Sequence, residues 1–296
     1  MSHDNNMEDG RKPDQSETKW QKILYKDQFV PDNYVDESFL DEVRKNVYTR
    51  TYDYWTVVWE SGVITQQLSS VCLFVVCFIY MSESVLSPDV VLLTSFLLTL
   101  GGYIVNVVFC SHVDESRSKR KVLDDVKTAM MFSGCSVLLS PVLVTLTETI
   151  STDTIYAMTT VMIIANLLFH DYGANAAMVS GAISLNAGIF ASVCLASRLH
   201  TALHALATVT VALQVFGLWP DLRRNLKATS RSTHPIMTVV LGLLAIGTLL
   251  SISVVAAILF TACHIFVTFV CPAWLMSLQP YKNNIHGPWD EAVIEE

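Results

Sequence analysis

PIMTVVLGLLAIGTLLSISVVAAILFTACHIFVTFVCPAWLMSL, Pro235–Leu278, runs 44 residues without an Asp, Glu, Lys or Arg. How it divides decides on which side of a membrane the C-terminal tail falls. As one helix it would extend about 66 Å, twice a hydrocarbon core of ~30 Å. It therefore reads as two spans, about Pro235–Val255 and Ala256–Leu278, joined by a tight turn. Six further apolar runs precede it: Trp55–Tyr80, Val90–Phe109, Val126–Leu146, Thr154–Phe169, Gly173–Ala196 and Thr201–Trp219. Each is near the ~20 residues that a spanning helix needs. The expected fold is all-α, a polytopic membrane helix bundle of about eight transmembrane helices.

Alternating the loops assigns each to a side. One side holds the N-terminal arm, the loops Cys110–Asp125, His170–Tyr172 and Asp221–His234, and the tail after Leu278. That side carries 18 of the 19 Lys and Arg, and the other carries only Arg198. Short loops rich in Lys and Arg stay on the cytoplasmic side, so both termini are expected to be cytosolic. Mean hydropathy is +0.42 and charged residues are 16% of the chain, against about 25% in soluble domains. About 54 polar residues precede the first run, so no cleavable signal peptide is expected and the first span targets itself.

Three regions follow: a cytosolic arm over 1–54, the bundle over 55–278 and a cytosolic tail over 279–296. Met1–Thr18 has the composition of a disordered segment. Residues 36–48 read as an amphipathic helix, with Phe39, Leu40, Val43 and Val47 on one face. Ser38 and Asp41 stand at capping-box spacing. Tyr52, Tyr54, Trp55 and Trp59 cluster where the first span would enter the membrane. Trp219-Pro220 closes the sixth. Glu60 lies about one turn inside the first span, where a charge needs the interface or a partner.

The fifth span differs from the rest. Gly173, Ala177 and Gly181 are spaced by four, as are Ser180, Ser184, Gly188 and Ser192. Small residues at this spacing let helix backbones approach closely. They serve either packing within this chain or an interface with another subunit or a lipid.

Catalytic signatures are absent. The sequence has no H-E-x-x-H, G-x-S-x-G, P-loop or dinucleotide G-x-G-x-x-G. The seven cysteines form no C-x-x-C pair and the histidines are dispersed, so neither a disulfide framework nor a metal site is expected. Nothing points to a cofactor. No polybasic stripe suggests nucleic acid. The span interiors lack midplane charges and the chain shows no internal repeat, which disfavours a transporter. A stand-alone transporter or lipid scramblase for a neutral substrate remains the alternative.

Several segments stand together in a familiar order. They are KWQKILY (Lys19–Tyr25), PDNYVD (Pro31–Asp36), STDTIYAM (Ser151–Met158), DYGANAA (Asp171–Ala177), FASVCLASRL (Phe190–Leu199) and IHGPWDEA (Ile285–Ala292). In this order and spacing the chain resembles the PIG-C family from about Lys19 to Ala292. Met1–Thr18 and the loop Ser111–Val122 match nothing, and His170 stands where an apolar residue is expected. The resemblance implies a multi-spanning, non-catalytic subunit of the endoplasmic reticulum complex that moves N-acetylglucosamine from UDP-N-acetylglucosamine to phosphatidylinositol. That transfer is the first step of glycosylphosphatidylinositol anchor synthesis. The implied partners are a PIG-A-like catalytic subunit, other small membrane subunits, phosphatidylinositol and membrane lipids.

Two candidate sites follow from that reading. His170, Asp171, Tyr172 and Asn175 form a polar cluster in the long apolar stretch from Ile155 to Ala196, and Arg223, Arg224 and Lys227 are expected on the same face. Together they are candidates for contact with a lipid headgroup or the catalytic subunit. Asp171 could instead cap the fifth helix. In the tail, His286, Pro288 and Trp289 are candidates for docking a partner.

Overall fold

The 44-residue apolar stretch breaks at Ser253, which is extended (φ −156°, ψ 122°) and caps the helix that follows it by accepting from Ala256 N at 3.4 Å. The two helices flanking this residue fold back on each other. Gly242 and His264, each eleven residues from Ser253, lie side by side, and a Cβ on Gly242 would sit 3.3 Å from His264 Nε2. The break falls two residues before the expected one, at a capping serine.

The computed structural model describes residues 44–45, 52–110, scattered positions between 127 and 142, and residues 150–173, 180–229, 233–281 and 285–286. It forms two units. The first contains an antiparallel strand pair, β1 (Arg44–Lys45) with β2 (Ile285–His286), in which Arg44 faces His286 and Lys45 faces Ile285. Where an amphipathic helix is expected over 36–48, these two residues are extended instead, held by backbone bonds to the tail. The rest of that helix, Met1–Thr18, the loop 111–122, Asn175, Ala177, Pro288 and Trp289 lie outside the described residues.

The second unit is helical. Its elements are α1 (Tyr54–Ser82), α2 (Pro88–Cys110), α3 (Thr152–Phe169), α4 (Gly181–Ala196), α5 (Ala202–Thr229), α6 (Thr233–Ile252) and α7 (Val254–Tyr281). Six of these are long and apolar enough to cross a membrane, and α4 is a shorter apolar helix. The described residues of the expected third span, among them Gly134–Leu138, are helical. The helices start where polar side chains replace missing backbone partners. Asp53 accepts from Thr56 N at 3.2 Å and Ser151 from Thr154 N at 3.3 Å. Ser180 accepts from Ile183 N at 3.4 Å, and Thr201 from His204 N at 3.4 Å.

One expected boundary is corrected. Trp219-Pro220 does not end the sixth span, because α5 continues through it to Thr229. A proline inside a helix loses one bond and clashes with the carbonyl four residues back. Here that carbonyl belongs to Phe216, inside a wider π turn over Leu213–Leu218. α7 repeats the device, with Pro272 following a π turn over Phe266–Val270. The widened turn relieves both problems, so the helix runs on.

α1 is the central helix. Its lower half packs an apolar core of Val71, Phe74, Phe78 and Met81 against Leu195, Leu199 and Phe216. Phe74 and Phe216 meet edge to face with centroids 5.3 Å apart. Its upper half is polar yet buried: Thr65, Gln66, Gln67, Ser69 and Ser70 are at most 4% exposed. Ser69 and Ser70 return their hydroxyls to the carbonyls of Thr65 and Gln66, each at 2.8 Å. The glutamines are too long for that and must reach neighbouring helices.

Candidate functional site

Gln67 reaches α3, where its Nε2 donates to Asn166 Oδ1 at 3.2 Å. Asn166 in turn donates through Nδ2 to Ser184 O at 2.8 Å and to Ser184 Oγ at 3.0 Å. Ser184 Oγ donates to Asn166 O at 3.0 Å and lies 3.4 Å from His170 Nδ1. His170 Nε2 accepts from Arg223 Nη2 at 2.8 Å, and Arg223 Nη1 reaches Val63 O at 3.4 Å. A connected line of polar side chains thus joins α1, α3, α4 and α5. Every member is almost fully buried; Arg223 is 5% and His170 7% exposed.

The line has a direction. An arginine can only donate, so His170 Nε2 carries no proton. The proton sits on Nδ1, facing Ser184. Burial, and next the adjacent Arg223 guanidinium, push His170 down from 6.5 to about 4. Its ring meets Tyr172 edge to face with centroids 5.0 Å apart. Tyr172 donates to Leu167 O at 2.6 Å, and burial pushes its hydroxyl up to about 12, so it stays neutral.

His170 consequently gives stability a pH dependence whose sign is fixed. Its native value lies below its unfolded value, so the unfolded chain binds more protons between the two. Stability should be full above about pH 6.5 and decline as pH falls toward 4. Melting temperatures of detergent-solubilised protein between pH 7 and 4.5 should fall less steeply in His170→Gln than in the parent. Parallel curves would remove His170 as a source.

The exposed charges around this line are matched in pairs. Lys227 Nζ lies 2.6 Å from Glu60 Oε2, which supplies the partner that Glu60 needed. Arg224 lies 3.8 Å from Asp171 and 3.6 Å from Asp221. Asp171 also accepts from Gly173 N at 2.9 Å. Asp171 therefore does not cap the fifth helix. Among the described residues that helix begins at Gly181 under Ser180, and Asp171 shapes the turn before it.

The other expected site residues separate into distinct roles. Gly173 supplies a left-handed turn (φ +85°), and a Cβ there would meet nothing. Gly181 also faces open space. Gly188 is a close crossing, since its Cβ would lie 2.6 Å from Phe216 Cγ. Ser192 is buried and bonds its own helix at Ile189 O, 2.6 Å away. Ser184 belongs to the polar line. His286 pairs its backbone with Arg44 of the chain's own arm. Asn166 and Gln67 were not anticipated, and His170 stood in the expected polar cluster without a role. The signal was present: Asn166 and His170 are four apart at the apolar end of α3, and so fall on one side of it.

Comparison with known proteins identifies this arrangement's setting. Residues 20–290 match the GPI2 family, described as phosphatidylinositol N-acetylglucosaminyltransferase. The chain belongs to the GPI2 family. Its GPI2 relatives include a phosphatidylinositol N-acetylglucosaminyltransferase subunit of Rattus norvegicus, 50% identical over 96% of this chain and 95% of the relative. The Homo sapiens protein of the same name is 50% identical over 95% of this chain and 94% of its own length. A more distant relative, the GPI2 subunit of that transferase in Schizosaccharomyces pombe, is 33% identical over 93% and 86%. No solved structure matches the chain.

Proposed function

We propose that this chain is the accessory membrane subunit of a phosphatidylinositol N-acetylglucosaminyltransferase, acting in the first step of glycosylphosphatidylinositol anchor synthesis. It scaffolds the assembly and presents the lipid acceptor to a PIG-A-like catalytic subunit at the cytosolic face of the endoplasmic reticulum. The observation that carries this reading is the near full-length likeness, at half identity, to the mammalian transferase subunits.

Eight crossings with cytosolic termini belong to the same proposal. α2 ends beside α5's charged end, where Asn225 Nδ2 donates to Asn106 Oδ1 at 3.0 Å. α3 also ends there, at His170, so it begins at the opposite end. The chain must cross once between them, which supports a span over Val126–Leu146. The strand pair β1–β2 also supports an even count, because hydrogen-bonded strands cannot straddle a bilayer. Reporter tags placed after Glu296 and between Glu83 and Ser87 should appear on opposite sides of the membrane. Tags on one side would end this topology.

At the charged end, Asp171 accepts hydrogen bonds from inositol hydroxyls, Asn175 adds a donor and Arg223 supplies positive charge for the phosphate, while Arg224 and Lys227, already paired with carboxylates, face the catalytic subunit. Asp171→Asn tests this part. Asn preserves the turn at Gly173 but removes the charge. Complex abundance should be unchanged while transfer to phosphatidylinositol falls about fivefold, the worth of the ~1 kcal/mol by which a charged acceptor exceeds a neutral one. Unchanged transfer in a normally assembled complex would exclude Asp171 from the headgroup contact.

A further inference from the structure

Buried charges are normally paired and exposed ones can do without. This end of the bundle reverses that order. The exposed Arg224 and the half-buried Lys227 each have a carboxylate within 4 Å, whereas the buried Arg223 has none among the described residues. Its nearest polar neighbour is a neutral imidazole. Tyr172 is neutral too, and its hydroxyl is engaged with Leu167 O. A desolvated guanidinium is strongly unfavourable without an anion; among the described residues no carboxylate lies within 4 Å of it, and Asp171 acts on it only from farther away.

The guanidinium also has donors to spare. Of the five N–H groups an arginine carries, the structure places one on His170 Nε2 and one on Val63 O. Nε makes no hydrogen bond among the described residues, yet it is not one of the partnerless atoms sealed inside the protein. His170 holds the fork in place without neutralising it. Its own ring is fixed by Ser184 and, through Asn166, by Gln67 on the central helix. The network orients one cation and leaves its charge unspent.

We infer that Arg223, held by the uncharged His170, is the receptor for a single phosphate-ester oxyanion at the charged end of the bundle. Arg224 and Lys227 are not the receptor. Arginine binds phosphate through paired N–H donors, a geometry lysine lacks. This inference rests on the lipid-presenting role proposed above and assigns the phosphate within it. Two sources share the chemistry, the phosphodiester of an inositol lipid and the diphosphate of a uridine nucleotide.

The discriminating substitution is His170→Glu. It places a carboxylate beside Arg223, so the buried pair becomes neutral and the anion loses its receptor. His170→Gln keeps a neutral acceptor and serves as the matched control. The assembled, purified complex in nanodiscs would be tested with phosphatidylinositol, with diacylglycerol as the phosphate-free lipid, and with UDP. Retention of phosphatidylinositol relative to diacylglycerol should fall at least tenfold in His170→Glu and stay within twofold of the parent in His170→Gln and Arg224→Gln. Loss of UDP binding in its place would also support the receptor and assign it to the nucleotide. If His170→Glu does not assemble, Arg223→Gln provides the same test, because its amide can still donate to His170. Parental retention of both ligands in the charge-neutralised variant, or an equal loss in Arg224→Gln, would overturn the assignment. A parent complex that binds neither ligand would instead defeat the lipid-presenting reading itself.

Discussion

Gly188→Leu should remove most folded protein from the membrane, whereas Gly181→Leu should leave its abundance near the parental level. A Cβ on Gly188 would lie 2.6 to 2.9 Å from three atoms of the Phe216 ring. That ring cannot swing away. It is buried, its other edge meets Phe74, and it is anchored in the π turn of α5. Separating α4 from α5 would also open the core around Leu195 and Leu199. Overpacking of this kind costs about 1–3 kcal/mol and more when backbone must move, and a leucine adds three further carbons to the clash. A Cβ on Gly181 meets nothing within 4 Å. Fluorescence-detected size exclusion of tagged variants would read both. Equal losses would show that α4 is held by contacts with another subunit, not by this crossing.

Asn166→Leu should be nearly as damaging, for an electrostatic reason. The substitution conserves approximate size but takes a bond from three polar groups on two residues at once. Gln67 loses its only side-chain bond among the described residues, leaving both its amide nitrogen and its already partnerless Oε1 buried. Ser184 loses donors to its carbonyl and its hydroxyl. Each buried group left unsatisfied costs about 1–3 kcal/mol, although polar pairs in membrane bundles average nearer ~0.6 kcal/mol. A total of about 2–4 kcal/mol is expected, read as a lower melting temperature in detergent. Asn166→Leu combined with Gln67→Leu should recover part of the loss, because the second change removes the stranded amide. No recovery would mean that Asn166 acts through Ser184 alone.

These two sites mark the boundary of what the sequence makes legible. Helix length is a one-dimensional quantity, so the hairpin around Ser253 could be read directly from 44 uncharged residues. The spacing of Gly181 and Gly188 also placed both in a small-residue pattern, but spacing does not say what lies opposite. Only Phe216, 28 residues away, makes one of them indispensable to packing. Glu60 was recognisable as needing a partner, whereas Lys227 as that partner depends on how α1 and α5 lie together. The continuation of α5 through Pro220 was illegible because a π turn has no simple residue code. His170 looked out of place for a sound reason: its hydrogen-bond partners, Ser184 and Arg223, come from two other helices.

The strand pair β1–β2 joins backbone from before α1 to backbone from after α7. Arg44 and Lys45 leave the ribosome early and wait for Ile285 and His286, which emerge only after every helix has been made. Closure of this pair is therefore a record that synthesis reached the far end. A chain cut short anywhere in the bundle would present Arg44 and Lys45 with open backbone donors and acceptors. Any partner that reads the closed pair would accept whole chains and pass over fragments.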